Sequence, residues 1–171
     1  MLRNLHLGKQ DGDFLRLQQL EPIEGERRMK IGTYLQKIEQ KAVTCGPHDS
    51  AQDAAIKLKT NGIGAMPVLA DDGKLVGMIS ERDLVAEFAD RGAGLQDLEV
   101  KDILTKSVVF MSPEADLADA MQTMNKHGFR HIPILSDGEV MGVISIRDAL
   151  VLAAPIDGDI AQHPVLAVGS R

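Results

Sequence analysis

TCGPHDSAQDAAIKLKTNGIGAMPVLADDGKLVGMISERD, residues Thr44–Asp83, returns as FMSPEADLADAMQTMNKHGFRHIPILSDGEVMGVISIRD, residues Phe110–Asp148. Extended to 43–84 and 109–149, with one residue deleted in the second copy, the two stretches are identical at 14 of 41 paired positions. The identities fall where the backbone or a ligand restricts the residue type: Pro47/Pro113, Gly62/Gly128, Pro67/Pro133, Gly73/Gly138, Gly77/Gly142, and Ser80-Glu-Arg82-Asp83 against Ser145-Ile-Arg147-Asp148. An internal repeat is one supersecondary unit whose apolar face is buried by its neighbour. Two copies predict one closed, pseudo-symmetric pair and not an open array.

Working outward, each copy reads as the same series. A short helix (Ile31–Leu35; Val100–Leu104) precedes an extended segment that ends at Pro47 or Pro113. An amphipathic helix follows, with Ala51, Ala54, Ala55 and Leu58 on one apolar face and Leu117, Ala120, Met121 and Met124 on the other copy's, at the spacing of a one-sided helix. Ser50 with Asp53, and Asp116 with Asp119, offer N-terminal caps; Gly62 and Gly128 sit where a helix ends in a left-handed residue. Two strands come next, Ile63–Ala70 with Leu75–Ser80 and Phe129–Ser136 with Val140–Ser145, joined at Asp72-Gly73 and Asp137-Gly138, which are strong turn signals. A last helix runs from Glu81 to about Ala89 and from Ile146 to about Ala153. The unit is β-α-β-β-α and the fold class α/β (α+β). The expected organisation is an arm over 1–28, a first unit over 29–93, a second over 94–154 and a tail over 155–171, with Asp90–Gly94 as linker and Pro155 as the stop. Met29 opens a stretch like a natural start, so the folded module is expected to begin there.

The bulk composition narrows the function. Of 171 residues, 44% are apolar and 26% charged, which is ordinary for a soluble domain. The net charge of −6 argues against general nucleic-acid binding, which rests on clustered Lys and Arg. No apolar run approaches the roughly 20 residues of a membrane helix, and the N-terminus lacks a signal-peptide pattern. Cys45 is the single cysteine, so no disulfide frame exists. Together these absences predict the cytoplasm. With no Trp, one Tyr and four Phe, the core is aliphatic, and eight Met fill its gaps.

Ser80-x-Arg82-Asp83 and Ser145-x-Arg147-Asp148 carry two readings. Ser with an acidic residue three positions on is a helix capping box, which accounts for Ser and Asp. It leaves Arg82 and Arg147 unaccounted for, because a cation in a first helical turn opposes the helix dipole. An anion at that helix end, where free N–H groups already favour phosphate, would account for them. The Asp would then accept hydrogen bonds from a ribose diol. Both readings stand on pattern alone.

Gly62-Ile63-Gly64-Ala65-Met66-Pro67 and Gly128-Phe129-Arg130-His131-Ile132-Pro133 form the second constellation. A helix cap running into a strand explains it structurally. A proline late in a strand also implies an edge or a bulge. Gly64 and Ala65 remove bulk, so a flat ring could approach the main chain. Arg130 and His131 replace that small pair in the second copy and could reach phosphates, or be a solvated Arg and a half-buried His. Two clefts of unequal character are expected.

The G-x-x-x-x-P stretch, the following G-h-I-S and the S-x-x-D, present twice in the same order, resemble CBS domains, named for cystathionine β-synthase, in the tandem called a Bateman module. The resemblance covers about Met29 to Ala154. It implies two units packed sheet to sheet about a pseudo-twofold axis, two clefts for adenine nucleotides (AMP, ADP, ATP or NAD), and flat homodimers formed through helices. By position it implies one cleft built from Thr44, Ile63, Gly64 and Ala65, bordered by Pro67, with Ser145, Arg147 and Asp148. The other combines Phe110, Arg130 and His131, bordered by Pro133, with Ser80, Arg82 and Asp83. The Asp would hold ribose, Ser and its neighbours phosphate, and the small residues the base.

Nothing else in the chain points to chemistry. Cys45 has no His partner nearby, and His6, His48, His127, His131 and His163 show no metal-ligand spacing. No nucleophile–base pair stands out, so no catalytic residue, metal or catalytic cofactor is expected. The reading is a nucleotide-sensing regulatory module acting on a separate, unknown protein; the alternative is a structural dimerisation module with no physiological nucleotide.

Overall fold

In the computed structural model, residues 29–38 and 42–153 are described. The expectations for 1–28 and 155–171 lie outside them. In chain order the elements are α1 (Ile31–Ile38), α2 (Ala51–Asn61), β1 (Ala65–Leu69), β2 (Leu75–Ser80), α3 (Glu81–Arg91), a 3-10 turn (Gly92–Asp97), α4 (Val100–Ile103), α5 (Leu117–His127), β3 (His131–Ser136), β4 (Glu139–Ser145) and α6 (Ile146–Ala153).

The amphipathic helices form as their sequence dictates. In α2 the Ser50 hydroxyl accepts from Asp53 N–H at 3.0 Å, and Gly62, at φ 64°, closes the far end. Ala51, Ala54 and Leu58 turn inward; in α5 Leu117, Ala120 and Met124 do the same. The cap expected at Asp116 is not made: its side chain takes no cap hydrogen bond and lies 3.1 Å from Lys30 Nζ. Lys30 is paired with Asp116 in an antiparallel bridge, and the cation draws the carboxylate away from the helix end.

Each pair of strands is an antiparallel hairpin, β1 with β2 and β3 with β4. The segment before each long helix adds a short parallel edge, Cys45 to Val68 and Met111 to Ile134. Pro67 and Pro133 are fully buried, and the ladder slips at Val68/Leu69 and Ile134/Leu135, just beyond them. The one-residue difference between the copies is absorbed in the turns. Asp137 and Gly138 both take positive φ, 52° and 85°, as in a tight two-residue turn. The longer first turn needs positive φ at Gly73 alone and is braced by the Asp72 carboxylate on Lys74 N–H at 3.2 Å.

The stretch Asp90–Gly94, expected as a linker, is helical. The α3 helix continues to Arg91, the 3-10 turn follows, and Leu95 and Leu98 pack on the first core. Their apolar side chains dock the connection that two glycines alone would leave loose.

Two aliphatic cores result. Cys45, Ala51, Ala54, Leu58, Met66, Val68, Ile79 and Leu84 make the first, and Leu117, Ala120, Met124, Ile132, Ile134, Ile144 and Ala149 the second. The short helices cross between them. Ile31 and Leu35 of α1 join the second core, whereas Val100 of α4 joins the first. Their main chains dock alike: Ile31 and Gly32 N–H donate to Ala115 and Pro113 at 3.0 and 2.8 Å, Val100 and Lys101 N–H to Asp49 and Pro47 at 2.9 and 2.8 Å.

Two clefts between the repeats as the candidate functional site

Both Ser-x-Arg-Asp motifs are capping boxes. The Asp83 Oδ2 accepts from Ser80 N–H at 2.8 Å and from its hydroxyl at 2.7 Å. Asp148 Oδ2 accepts the matching pair from Ser145 at 2.8 and 2.6 Å. Each box uses only one carboxylate oxygen. The first N–H of each following helix is bound across the strands, Glu81 to Gly64 O at 3.0 Å and Ile146 to Arg130 O at 2.9 Å. Strand start and helix start are thereby fixed to one another in both copies.

The larger cleft holds about 610 Å³. Ile63, Gly64 and Ala65 of the first copy line it together with Ser145, Arg147 and Asp148 of the second, the grouping expected for one site. The smaller cleft, about 180 Å³, brings Ser80, Arg82 and Asp83 together with Arg130 and His131. Gly64, Ala65, Glu81, Arg130 and His131 border both. Arg82, Arg130 and Arg147 are exposed, and none takes part in an ion pair among the described residues.

Four expected positions stand elsewhere. Thr44 and Phe110 line neither cleft; Val43 and Val109, one residue earlier, take the wall positions. Adjacent side chains of an extended segment face opposite ways, and Phe110 is left 59% exposed. Pro67 and Pro133 are sealed in the cores. Residues the sequence did not single out complete the sites: Leu35, Ile38, Asn61 and Val143 in the larger cleft, Thr105 and Ser107 in the smaller. Leu35 and Ile38 carry an apolar helical spacing that could have suggested a buried face, but nothing in the repeat signals a cleft there.

The symmetry break between Gly64-Ala65 and Arg130-His131 has a packing cause. A Cβ on Gly64 would lie 3.1 Å from His131 Cε1 and Nε2. The imidazole of one copy occupies the space vacated by the other's glycine. Burial, aided by Arg130, holds the His131 pKa below its ordinary value, against the opposing pull of Asp148 and Glu81. The charged imidazolium is thereby disfavoured at this wall.

Tyr34, the single tyrosine, donates from its hydroxyl to Asp148 Oδ1 at 2.9 Å. Burial first, then the Asp148 hydrogen bond and charge, raise its pKa to about 12. Absorbance titration should therefore find almost no tyrosinate in the native protein at pH about 10.5 and an ordinary midpoint near 10 once the chain is unfolded in urea. A native midpoint near 10 would contradict this geometry.

Two CBS-domain matches, over 36–90 and 100–154, cover most of the chain, which belongs to the CBS-domain family and carries the domain as a tandem pair. A CBS-domain protein of Agrobacterium tumefaciens has 33% sequence identity and a TM-score of 0.69, over 72% of this chain and 98% of that one. A CBS-domain protein of Pyrobaculum aerophilum, solved in complex with AMP, shares the fold at 24% identity and a TM-score of 0.62, over 70% of this chain and 89% of that one. An uncharacterized 17.7 kDa protein of Acidianus ambivalens is 34% identical over 103 residues, 60% of this chain and 61% of its own length. The chain spans 40–61% of the length of the first curated relatives it matches. Among the described residues no helix is long and apolar enough to cross a membrane.

Proposed function

We propose that the chain is a regulatory module that senses an adenine nucleotide in its larger cleft. One observation carries this reading: a single cavity of about 610 Å³ gathers an apolar wall, the carboxylates of Glu81 and Asp148 and two guanidinium groups that have no ion-pair partner among the described residues. That volume lies within the roughly 300–1,000 Å³ of small-molecule sites. The base would lie against Val43, Ile63, Gly64 and Ala65, with Leu35 and Ile38 beyond. The ribose diol would meet Asp148. Ser145, Arg147 and Arg130 would take the phosphates, charge-assisted bonds being the stronger kind. The smaller cleft, at about 180 Å³, has the same chemistry in Ser80, Arg82, Asp83, Arg130 and His131, with room for part of a nucleotide. AMP, ADP, ATP and NAD share the required parts, and the AMP held by the Pyrobaculum aerophilum relative fits the reading.

Ligand state would pass to a separate protein through the relation between the two units, since a ligand shifts only an equilibrium whose states it binds unequally. A homodimer would bury helix residues that are more than half exposed, Val85 and Phe88 of α3 and Leu150 of α6. The competing reading, a structural dimerisation module, draws on the capping boxes, which account for Ser and Asp without any ligand. Calorimetry on ligand-stripped protein with AMP, ADP, ATP, NAD and S-adenosylmethionine separates the two. At least one should bind; silence from all five hands the case to the structural module.

A further inference from the structure

The two clefts differ at a position outside the repeated stretch. Asp83 and Asp148 each spend Oδ2 on the cap of the following helix. In the smaller cleft, Asp83 Oδ1 has no partner among the described residues. At the larger cleft, whose wall includes Asp148 but not Tyr34, Asp148 Oδ1 already accepts the Tyr34 hydroxyl at 2.9 Å. The cause is in the crossing helices. Because Ile31 and Gly32 dock as Val100 and Lys101 do, the counterpart of Tyr34 is Ile103, which has no hydroxyl to offer.

We propose that Tyr34 is a specificity-determining residue of the larger cleft, its hydroxyl holding the place on Asp148 Oδ1 that a ligand's ribose hydroxyl takes over. The inference rests on the nucleotide reading of that cleft and adds to it a competitor built into the chain. Two consequences follow. A ligand must offer Asp148 a hydroxyl to displace the phenol, so ligands without a ribose diol are disfavoured. Displacement also frees a side chain of α1, which is anchored to the second copy through Ile31, Gly32 and Leu35. Ligand occupancy is therefore felt at α1. The phenol stays a donor across the physiological range, because burial and the neighbouring carboxylate oppose its ionisation.

The test compares the full-length chain with its Tyr34→Phe variant, both checked to be fully folded at the temperature of the titration. AMP, ADP, ATP and NAD are the probes, read by calorimetry. Removing the competitor should tighten binding about five- to tenfold, the size of one net hydrogen bond. With one tyrosine and no tryptophan, emission of the unmodified chain reports Tyr34 alone and should change with the same midpoint as the heat signal. Binding seen only in Tyr34→Phe overturns the proposal, because no ligand then takes the place of the hydroxyl in the unmodified chain. Nucleotide binding with affinity unchanged or weakened in Tyr34→Phe overturns it and leaves the nucleotide reading intact, Tyr34 then merely orienting Asp148. Binding by neither protein overturns both.

Discussion

Gly77→Ala should destabilise the fold by about 2–3 kcal/mol, the upper part of the range for overpacking a buried site. Gly77 lies buried in β2 and has no positive φ, so backbone freedom is not the reason for glycine. A Cβ there would collide with Leu104 Cδ1 and stand 2.8 Å from the Thr105 carbonyl oxygen. The leucine tip can turn aside. The carbonyl cannot, because Thr105 and Met78 exchange main-chain hydrogen bonds of 2.9 and 3.0 Å. At Gly142, its counterpart in β4, the nearest obstacle to a Cβ is the Leu35 side chain, with Cδ2 at 2.8 Å; Gly142→Ala should cost about 1 kcal/mol. Urea unfolding of the two variants gives the comparison. Equal losses would show that Thr105 yields, and that α4 is held less firmly than its bonds imply.

Asp148→Ala should weaken nucleotide binding by about 1.5–3 kcal/mol, the range for a lost hydrogen bond to a charged group. The carboxylate has two duties, so two readouts are needed. Loss of the cap on α6 lowers stability by about 1 kcal/mol, visible without ligand. Loss of the diol acceptor lowers affinity, visible by calorimetry at a temperature where the variant is fully folded. Asp83→Ala should lose a similar cap and little of the affinity, because the smaller cleft is too narrow for a whole nucleotide. Equal affinity losses at Asp83 and Asp148 would place the ligand across both clefts and sink the assignment to the larger one.

The pattern of elements was legible because it was written twice. Proline, glycine and the Ser-x-x-Asp boxes punctuate both copies at the same offsets, and residues such as Ala54 and Ala120 or Leu58 and Met124 can face only a core. Elements read from local signals alone were less well placed. Asp116 had the right position for a cap, yet the lysine that claims it lies far back in the chain. The glycines of Asp90–Gly94 suggested a loose connection, but Leu95 and Leu98 pin it. At the clefts, the resemblance to CBS domains implied which residues meet, and the same groups line the two cavities: Gly64 with Ser145, Arg147 and Asp148, and Arg130 with Ser80 and Asp83. The motifs could not tell which side an extended segment shows, hence Val43 and Val109 in place of Thr44 and Phe110. Nor could they show that Gly64 makes room for His131. Tyr34 escaped because it has no repeated partner to compare with, only an isoleucine in an unaligned helix.

The crossing of the short helices has a consequence for how such a chain comes to exist. A polypeptide holding one copy, with its own leading helix, could not close its own core, since that helix is placed to fill a different one. Two such polypeptides could close both by exchanging helices, as in a domain-swapped pair. Joining them end to end turns the exchange into an internal matter and removes its dependence on concentration. The fused chain then has little room to unfold by halves. Pulling α1 away opens the second core, pulling α4 away opens the first, and the contacts that hold each helix span most of the sequence between them, a topology that folds slowly and as one body.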